Sequence, residues 1–439
     1  MKSGLPKVLH TVGGLPMIRR VTNVLTALGI VDIVVVVGAD GDQIRQAFPG
    51  GTAVALQPEP RGTGDAVRVG LDKLPIDLET ILVVGGDTPL VSAETLGALL
   101  AEMADAAIGL AAAEMPDPTG YGRVIVDGSN RVQRIVEEVD ASAKERAGHF
   151  VNGMVFAFNA VWLREAIQGL RPSPSGELYL TQLVEDAVAQ GRTVQAVNIA
   201  DPSEIVGVNT RQQLAEVEAA LRQRVCARLM DDGVTIVDPL STYVDESVHL
   251  DPDVVIYPQT FLRGTTRIGS GSIIGPGADI ADSQIGSNVR ILWSVIEETT
   301  VADRVHIGPY CRVRAGAVLG EDVYLGSFAE IKNSVVGART QMHHFSYLGD
   351  ADVGSAVNIG AGAVTCNFDG TEKHRTVISD EAFIGSDTML IAPLTIGKGA
   401  ATGAGAVVTH DVPAGQRVAG VPARPMPPKP AESKKTEAP

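Results

Sequence analysis

The chain is poor in cysteine and aromatic residues and has no excess of positive charge. Its three cysteines (Cys226, Cys311 and Cys366) are odd in number and share no short spacing. This excludes a disulfide framework and a zinc site and predicts reduced thiols in a cytoplasmic protein. The formal net charge of −16 argues against a nucleic-acid partner, because such binders normally carry a basic excess. No apolar run approaches the roughly 20 residues that span a bilayer, and no apolar signal region opens the chain, so we expect no membrane partner.

Length and glycine content limit the fold further. At about 150 residues per domain, 439 residues predict two or three domains. The 48 glycines show no three-residue period, which excludes collagen, and the many branched aliphatic residues exclude wholesale disorder. The position of the glycines therefore says more about the fold than their number.

The first part of the chain has the alternation of an α/β domain. The short apolar runs Ile33–Val37 and Ile81–Val84 end in glycine and aspartate, as buried strands of a mostly parallel sheet do. Helical patterns lie between such runs, at about residues 16–29, 63–73, 92–104, 160–169 and 179–190. Ligands of such a domain bind at the carboxyl ends of the strands.

One long amphipathic helix is predicted over residues 210–230. Thr210 and Gln213 form a capping box, and Gly233 is a plausible stop. An apolar stripe runs along it, comprising Leu214, Val217, Leu221, Val225 and Leu229. We expect this helix to link two domains.

Beyond the helix, a six-residue repeat replaces the helical signals. Twelve glycines directly follow Ile, Leu or Val, mostly at multiples of six residues within one: Gly269, Gly275, Gly286, Gly308, Gly320, Gly326, Gly337, Gly349, Gly354, Gly360, Gly385 and Gly397. Each repeat supplies one short strand and one turn, which predicts a parallel β-solenoid with the aliphatic residues inside and the glycines adopting unusual turn geometry. Residues 365–376 break the period and should form an excursion. The pattern resembles the hexapeptide-repeat transferases, which implies a left-handed parallel β-helix.

Four features of the first domain point to nucleotide chemistry as a set. They are Lys7 in Leu5–His10, Gln57 followed by Gly62 and Thr63, Asp87 at a strand's carboxyl end, and Asn209 before the long helix. A carboxylate, an amide oxygen and a triphosphate suit Mg²⁺, which would offset charge at the α-phosphate. Each feature alone also has a plain structural reading, as a turn or a helix cap.

Up to about residue 423 the chain resembles the bacterial bifunctional enzymes that make UDP-N-acetylglucosamine. These join an N-acetylglucosamine-1-phosphate uridylyltransferase to a glucosamine-1-phosphate N-acetyltransferase. The resemblance implies that UTP contacts Lys7, Gln57, Gly62 and Thr63, and that Mg²⁺ binds Asp87 and Asn209, the latter also lining the nucleotide-sugar site. It also implies that the sugar contacts Gly122, Glu137 and Asn152.

The first residues depart from that family. The family opens with a strand and the loop L-A-A-G-x-G-T-R-M ahead of S-x-L-P-K, whereas this chain begins Met1-Lys2-Ser3-Gly4-Leu5-Pro6-Lys7. Because that loop would stabilise the triphosphate, we expect poor uridylyl transfer from this chain and a sheet lacking a central strand. Either an internal Met was taken as the start or the domain has decayed. The intact remaining motifs favour the first explanation.

In the repeat domain His344 is the candidate general base. Acetyl transfer to an amine requires a group with a pKa near neutrality to take the proton, and His344-x-x-Tyr347 matches the acetyltransferase motif of that family. His343 is the neighbouring alternative, and alternation along a strand would aim the two side chains to opposite faces.

Motif matching assigns the remaining acetyltransferase residues. Arg314 and Lys332 would bind the sugar phosphate, with a solvated coil edge as the plain alternative, while Tyr347 and Asn358 would position the sugar. The acetyl-CoA residues implied are Ala361, Asn367, Phe368, Ser386 and Ala404. Phe368 stands where the family usually has Tyr. Gly420 stands where it often has a basic residue, which Arg417 or Arg424 could replace.

These observations predict a uridylyltransferase domain at 1–209, a linker helix at 210–233, a β-helix acetyltransferase domain at 234–424 and a disordered tail at 425–439. The expected substrates are glucosamine-1-phosphate, acetyl-CoA and UTP, and the family implies a homotrimer with acetyl-CoA bound between chains. Three alternatives remain open. They are an acetyltransferase with a structural first domain, a sugar nucleotidyltransferase whose β-helix only oligomerises, and a non-enzymatic scaffold.

Overall fold

A computed structural model describes residues 1–39, 41–48, 52–128, 131–173 and 176–426. The chain divides into two compact units, Met1–Leu221 and Arg222–Pro439. The division falls inside one helix, and the two units are described in turn.

The first unit alternates helices and strands, as predicted. Within the described residues its helices are α1 (Met17–Ala27), α2 (Gly41–Gln46), α3 (Thr63–Leu71), α4 (Ala93–Ala101), α5 (Ala143–Arg146), α6 (Ala160–Ala166), α7 (Gln182–Ala189) and α8 (Arg211–Asp231), the last crossing into the second unit. Its strands are β1 (Thr11–Val12), β2 (Leu15–Pro16), β3 (Val34–Val37), β4 (Ala53–Leu56), β5 (Thr80–Val84), β6 (Ile108–Glu114), β7 (Arg123–Val126), β8 (Val132–Val136), β9 (Phe150–Asn159) and β10 (Val194–Asn198). Short 3₁₀ turns cover Lys7–Leu9, Glu102–Ala104, Ile167–Gly169 and Pro202–Ile205.

The main sheet is built around β9. Its strand order is β10-β6-β9-β7-β8, with β5 pairing along the other part of β9. The prediction of a mostly parallel sheet is wrong here, because β9 runs antiparallel to β5, β6 and β7, and in this sheet only β10 and β6 pair in parallel among the described residues. Alternate residues of β9 enter different cores, because successive side chains of a strand point to opposite faces. Phe156 and Phe158 pack with α6 and α7, whereas Val155 and Ala157 pack with α4. The sheet is therefore covered on both faces, as its apolar strands require.

The strands β3 and β5 do not share a sheet. Within the described residues β3 pairs in parallel with β4 alone, and β5 pairs with β9 alone. A cavity of about 780 Å³ is lined by the consecutive residues Val34–Val37 and Thr80–Val84. Since alternate side chains point to opposite faces, consecutive residues along one cavity mean that both strands present a backbone edge to it. The cavity lies between the edges of β3 and β5, and the lack of a central strand stays a prediction.

Helix α8 begins as its sequence predicts. The Thr210 hydroxyl accepts a hydrogen bond from the Gln213 N–H at 3.1 Å, and the Gln213 side chain accepts one from the Thr210 N–H at 3.0 Å. This reciprocal pair satisfies N–H groups that have no partner within the helix. Four of the five residues in the predicted apolar stripe are buried, and the fifth, Leu214, is half-buried.

The second unit consists of short strands joined by turns. In chain order its described strands are β11 (Thr235–Ile236), β12 (Tyr243–Val244), β13 (His249–Leu250), β14 (Val255–Ile256), β15 (Phe261–Arg263), β16 (Arg267–Ile268), β17 (Ile273–Ile274), β18 (Asp279–Ala281), β19 (Gln284–Ile285), β20 (Arg290–Ile291), β21 (Val295–Glu297), β22 (Thr300–Val301), β23 (His306–Ile307), β24 (Arg312–Val313), β25 (Val318–Leu319), β26 (Tyr324–Leu325), β27 (Ala329–Lys332), β28 (Val335–Val336), β29 (Gln341–Met342), β30 (Ser346–Gly349), β31 (Ala351–Val353), β32 (Asn358–Ile359), β33 (Val364–Cys366), β34 (Thr376–Ile378), β35 (Phe383–Ile384), β36 (Met389–Ile391), β37 (Leu394–Ile396), β38 (Ala401–Thr402), β39 (Val407–Val408), β40 (Arg417–Ala419) and β41 (Arg424–Pro425). A 3₁₀ turn covers Pro239–Ser241.

These strands stack into three sheets, which we call face 1, face 2 and face 3. Face 1 runs from β11 through β14 and every third strand to β38, followed by β40 and β41. Face 2 runs from β12 to β39 and face 3 from β13 to β37. Pairing is parallel except between β40 and β41, which run antiparallel, and the step from Val255 to Ile273 is eighteen residues, or three hexapeptides per coil. The stacked sheets fit the predicted left-handed parallel β-helix, and the predicted excursion lies between β33 and β34.

The aliphatic residues of the repeat point inward as predicted, but the reason given for the glycines is mostly wrong. All twelve residues that precede the repeat glycines are buried. All twelve glycines lie in the described part of the chain, and only Gly275 and Gly308 among them have positive φ. At Gly337 a Cβ would lie 2.5 Å from the carbonyl carbon of Gly354. Most repeat glycines are therefore required by the close approach of one coil's backbone to the next.

The remaining structural predictions concern the cysteines, the membrane and the tail. The three cysteines are free. Among the described residues no helix has both the length and the apolar character needed to cross a membrane. The tail predicted from residue 425 begins within β41, and residues 427–439 lie outside the described part.

Candidate functional sites

The first unit brings Lys7, Asp87 and Asn209 together at the carboxyl end of β5. The Lys7 ammonium lies 2.5 Å from a carboxylate oxygen of Asp87 and donates to the amide oxygen of Asn209 at 2.7 Å. The Val208 N–H donates to the Asp87 carbonyl at 2.9 Å, which fixes the segment carrying Asn209 beside β5. Two residues predicted to bind a metal therefore converge on one cation.

This pair fits a magnesium ion that takes most of its ligands from phosphate and water. A carboxylate and an amide oxygen are the hard donors that Mg²⁺ prefers. Among the described residues no group of three or more His, Cys, Asp or Glu side chains could hold a metal by itself. Since the Lys7 ammonium already lies between the two oxygens, a metal ion there requires Lys7 to move.

The three predicted sugar residues are also neighbours. The Asn152 N–H donates to the Gly122 carbonyl at 2.9 Å, and a Cβ on Gly122 would lie 3.3 Å from a carboxylate oxygen of Glu137. Glu137 accepts a hydrogen bond from the Thr181 hydroxyl at 2.8 Å. Burial raises the pKa of Glu137, and the hydrogen bond from Thr181 opposes that rise only in part.

Tyr121 connects these two groups and was missed by the sequence reasoning. It directly precedes Gly122, and its hydroxyl lies against the backbone of Gly207, close enough to Asp87 for that charge to act on it. Burial, more than the Asp87 charge, raises the pKa of Tyr121. The Gly-Tyr-Gly run in the sequence was the available signal, but it did not single out the ring.

The predicted UTP residues Gln57, Gly62 and Thr63 have partners within the protein. The Gln57 amide donates to Asp65 at 2.8 Å, and the Thr63 hydroxyl accepts from the Leu180 N–H at 3.0 Å. Gly62 has φ +106°, and a Cβ there would lie 2.6 Å from the Leu178 carbonyl oxygen. The close backbone approach expected at Gly62 is thus made to another segment of the unit.

In the β-helix, His344 heads a column along the corner between face 1 and face 2. Met342, Ile359 and Ile384 occupy matching positions in successive coils, and Thr402 matches them in the next coil, where Ala401 pairs with Phe383. The residues two positions further on are His344, Ala361, Ser386 and Ala404. The structure therefore aligns the candidate base with three of the five predicted acetyl-CoA residues.

The reason offered for separating His343 from His344 does not apply. Both histidines lie in the turn between β29 and β30, outside any strand, and both are exposed. Their rings are 6.4 Å apart. His343 packs on Tyr324 at 4.8 Å, and Tyr324 stacks on His306 at 4.4 Å. A ring already in an aromatic stack is the poorer candidate, which leaves His344.

Arg314 and Lys332 lie together near the corner between face 2 and face 3. Both line one cleft of about 330 Å³. The Arg314 guanidinium donates to Glu330 at 3.0 Å, and Tyr347 pairs with Glu330 in the next coil. Asn358 lies instead on face 1, in β32. Three of the four residues predicted to bind the sugar phosphate therefore lie on face 2 or at its corner with face 3.

The other two predicted acetyl-CoA residues are not with His344. Asn367 and Phe368 begin the excursion between β33 and β34, at the corner between face 2 and face 3. Asn367 is buried and Phe368 is 58% exposed. Within one chain the five residues predicted to bind acetyl-CoA thus occupy two corners separated by the width of face 2.

Comparison with known proteins agrees with both folds. Residues 1–150 match the family model of the MobA-like NTP transferase domain, and residues 241–336 match that of the GMPPB C-terminal domain. A nucleotidyltransferase domain followed by a β-helix that carries a histidine-headed column defines a two-domain transferase.

Full-length relatives narrow that class. The chain is 44% identical over 418 residues to Bifunctional protein GlmU of Heliobacterium modesticaldum, covering 94% of this chain and 91% of the relative. It is 42% identical over 416 residues to that of Carboxydothermus hydrogenoformans (94% and 93%) and 45% identical over 427 residues to that of Rubrobacter xylanophilus (97% and 91%). The chain belongs to the bifunctional GlmU family. These relatives confirm the predicted family and fold class. They also confirm the prediction of a bifunctional acetyltransferase and uridylyltransferase of cell-wall precursor synthesis.

Proposed function

We propose that the β-helix acetylates glucosamine-1-phosphate from acetyl-CoA, with His344 as the general base. The column that aligns His344 with Ala361, Ser386 and Ala404 is the observation that carries this proposal. A thioester bound along this corner would have the His344 side chain at its end.

The acetyl step follows from that placement. His344 takes a proton from the sugar ammonium or from the attacking amine, and the amine nitrogen forms a bond to the acetyl carbonyl carbon. The carbon–sulfur bond breaks, the protonated His344 returns its proton to the departing sulfur, and coenzyme A leaves as the thiol. A base of this kind contributes about 10²–10⁴-fold to the rate.

Arg314 and Lys332 hold the sugar phosphate in this proposal. Two fixed positive charges in one cleft match a phosphate dianion. Tyr347, on the strand between that cleft and His344, and Asn358 orient the sugar ring.

The first unit then couples N-acetylglucosamine-1-phosphate with UTP and releases pyrophosphate. Gly122, Glu137 and Asn152 hold the sugar, while Lys7, Gln57, Gly62 and Thr63 bind the nucleotide. Asp87 and Asn209 hold Mg²⁺, which when bound offsets negative charge on the phosphates. The open edge of β3 and β5 favours weak uridylyl transfer by this chain.

We further propose a homotrimer in the cytoplasm that acts on small molecules, without a nucleic-acid or membrane partner. The split of the acetyl-CoA residues over two corners supports a site completed by a second copy, and the charge of −16 supports the choice of partners. Co-expressing differently tagged His344→Ala and Asn367→Ala chains tests the shared site. Mixed assemblies regain activity if the two residues act from different chains and stay inactive if they act from one.

The direct test measures thiol release from acetyl-CoA with glucosamine-1-phosphate, and pyrophosphate release from UTP with N-acetylglucosamine-1-phosphate. His344→Ala should lower thiol release by about 10²-fold or more. His343→Ala is the matched control and should change it by less than about threefold. An unaltered rate in His344→Ala would contradict the assignment of the base, and no thiol release by the unaltered chain would contradict acetyl transfer itself.

A further inference from the structure

Asp350 lies at the corner between face 2 and face 3, where the proposed function gives it no role. It sits between β30 and β31 with φ +51° and is only 8% exposed. One carboxylate oxygen accepts a hydrogen bond from the Asn333 amide at 2.6 Å, and the other accepts one from the Asn367 amide. The Lys332 ammonium lies 3.7 Å from the second oxygen. A single carboxylate therefore touches one proposed phosphate ligand and one proposed acetyl-CoA ligand.

Asp350 also holds both ends of the excursion, residues 367–375. At its start the Asn367 side chain is bonded to the Asp350 carboxylate. At its end the Thr376 N–H donates to the Asp350 carbonyl at 3.2 Å. The Asp350 N–H in turn donates to the Lys332 carbonyl at 3.1 Å. The excursion is thus tied, through one residue, to the coil that carries Lys332.

The charges at this corner agree with a role for Asp350 in linking the excursion to Lys332. Lys373, within the excursion, faces Lys332, and that contact is the main cause that lowers the pKa of Lys373. Burial alone would raise the pKa of Asp350, but the two asparagine amides and Lys332 outweigh burial and lower it. Asp350 is therefore the anion that lets two ammonium groups approach one another at the proposed phosphate site.

We propose that Asp350 is a positioning residue that fixes Lys332 and the excursion relative to each other, so that the sugar phosphate and acetyl-CoA bind cooperatively. This inference rests on the proposed acetyl transfer. A carboxylate is required because both asparagine amides donate to it, and an amide at this position would set one N–H₂ group against another.

The test measures binding of coenzyme A, which cannot react, with and without glucosamine-1-phosphate by calorimetry. In the unaltered chain each ligand should tighten the other about fivefold or more, and the effect should be reciprocal. Asp350→Asn should bring this factor close to one and raise the KM of both substrates about tenfold, because hydrogen bonds to a charged group are lost.

Asp352→Asn is the matched control. Asp352 lies two residues further along the chain, in β31, is half-exposed, and pairs with Arg375 at the end of the excursion. It should retain the cooperative factor. Equal loss in both variants, an unchanged factor in Asp350→Asn, or no cooperativity in the unaltered chain would overturn the inference.

A second variant tests the inference if Asp350→Asn does not fold. Asn333 has φ +46°, which glycine adopts readily, so Asn333→Gly removes one hydrogen bond to Asp350 with little backbone cost. It should reduce the cooperative factor, and a full factor would overturn the inference. Absence of thiol release by the unaltered chain would instead refute the proposed function, so the two failures are distinguishable.

Discussion

The open edges of β3 and β5 predict that an added strand will stabilise the first unit. The change is a segment of five apolar residues joined ahead of Met1 through a short flexible linker. Five residues span about 17 Å, which matches the five residues of β5. The Met1 ammonium lies 3.2 Å from the Asn209 carbonyl, beside the carboxyl end of β5, so a segment running parallel to β5 ends close to Met1.

The expected size of the effect follows from the two edges. A strand between two partners gains roughly eight to ten backbone hydrogen bonds at about 1 kcal/mol each, and ordering five residues costs about 1–2 kcal/mol each. These contributions nearly cancel. Burial of five apolar side chains then contributes about 1.5–3 kcal/mol each at full burial, and we take about 5 kcal/mol for partial burial. For a unit of this size that corresponds to a rise in Tm of roughly 10–20 °C.

Differential scanning calorimetry of the full chain measures this rise. The unfolding transition of the β-helix serves as an internal reference and should not move. A segment of equal length with serine and asparagine in place of the apolar residues is the control. An unshifted first transition, or an equal shift with the polar segment, would refute the conclusion that the cavity accepts a strand.

Three further predictions concern pH, metal binding and coil stacking. Because burial raises the pKa of Glu137, the stability it contributes is present at low pH and is lost as pH rises above about 4.3 towards and through the folded value. Glu137→Gln should therefore reduce this loss of stability with rising pH, measured by thermal unfolding between pH 4 and 7. Glu145→Gln should act in the opposite sense, since hydrogen bonds from a serine lower the pKa of Glu145. Lys7→Met should tighten Mn²⁺ binding to the ligand-free chain about three- to fivefold, measured by electron paramagnetic resonance, because the ammonium no longer lies between the two oxygens; unchanged binding would place the metal elsewhere. Gly337→Ala should destabilise the β-helix by about 2 kcal/mol in thermal unfolding, since its Cβ would meet the next coil. Gly97→Ala, with open space around it inside α4, should instead stabilise the first unit by about 0.5–1 kcal/mol; a stability loss at both sites would contradict the stacking explanation.

The sequence predicted the periodic features well because periodicity is a local signal. The alternation of the first unit, the capping box at Thr210 and the inward aliphatic column are confirmed. The helices α2 and α5 were missed because six and four residues carry too little pattern.

Contacts between coils could not be read in the same way. Asp350, Asn333 and Asn367 are separated by seventeen residues at each step, and no local spacing marks them as neighbours. The role of Gly337 was misassigned for a related reason, since backbone approach between coils leaves the same glycine signature as a turn. Sequence motifs found the site residues one at a time, and stacking decides which of them meet.

The close contact between successive coils has a consequence for how such a domain can change. An insertion shorter than a full coil keeps the inward residues below it in register only if it loops out at a corner, as residues 367–375 do, whereas a whole coil adds about 4.8 Å of length and leaves the column intact. Lys332 and His344 belong to adjacent coils. A coil added before Arg314 would therefore lengthen the domain and preserve the site, and one added between Lys332 and His344 would separate the phosphate cleft from the base. The domain is free to vary in length only away from these coils.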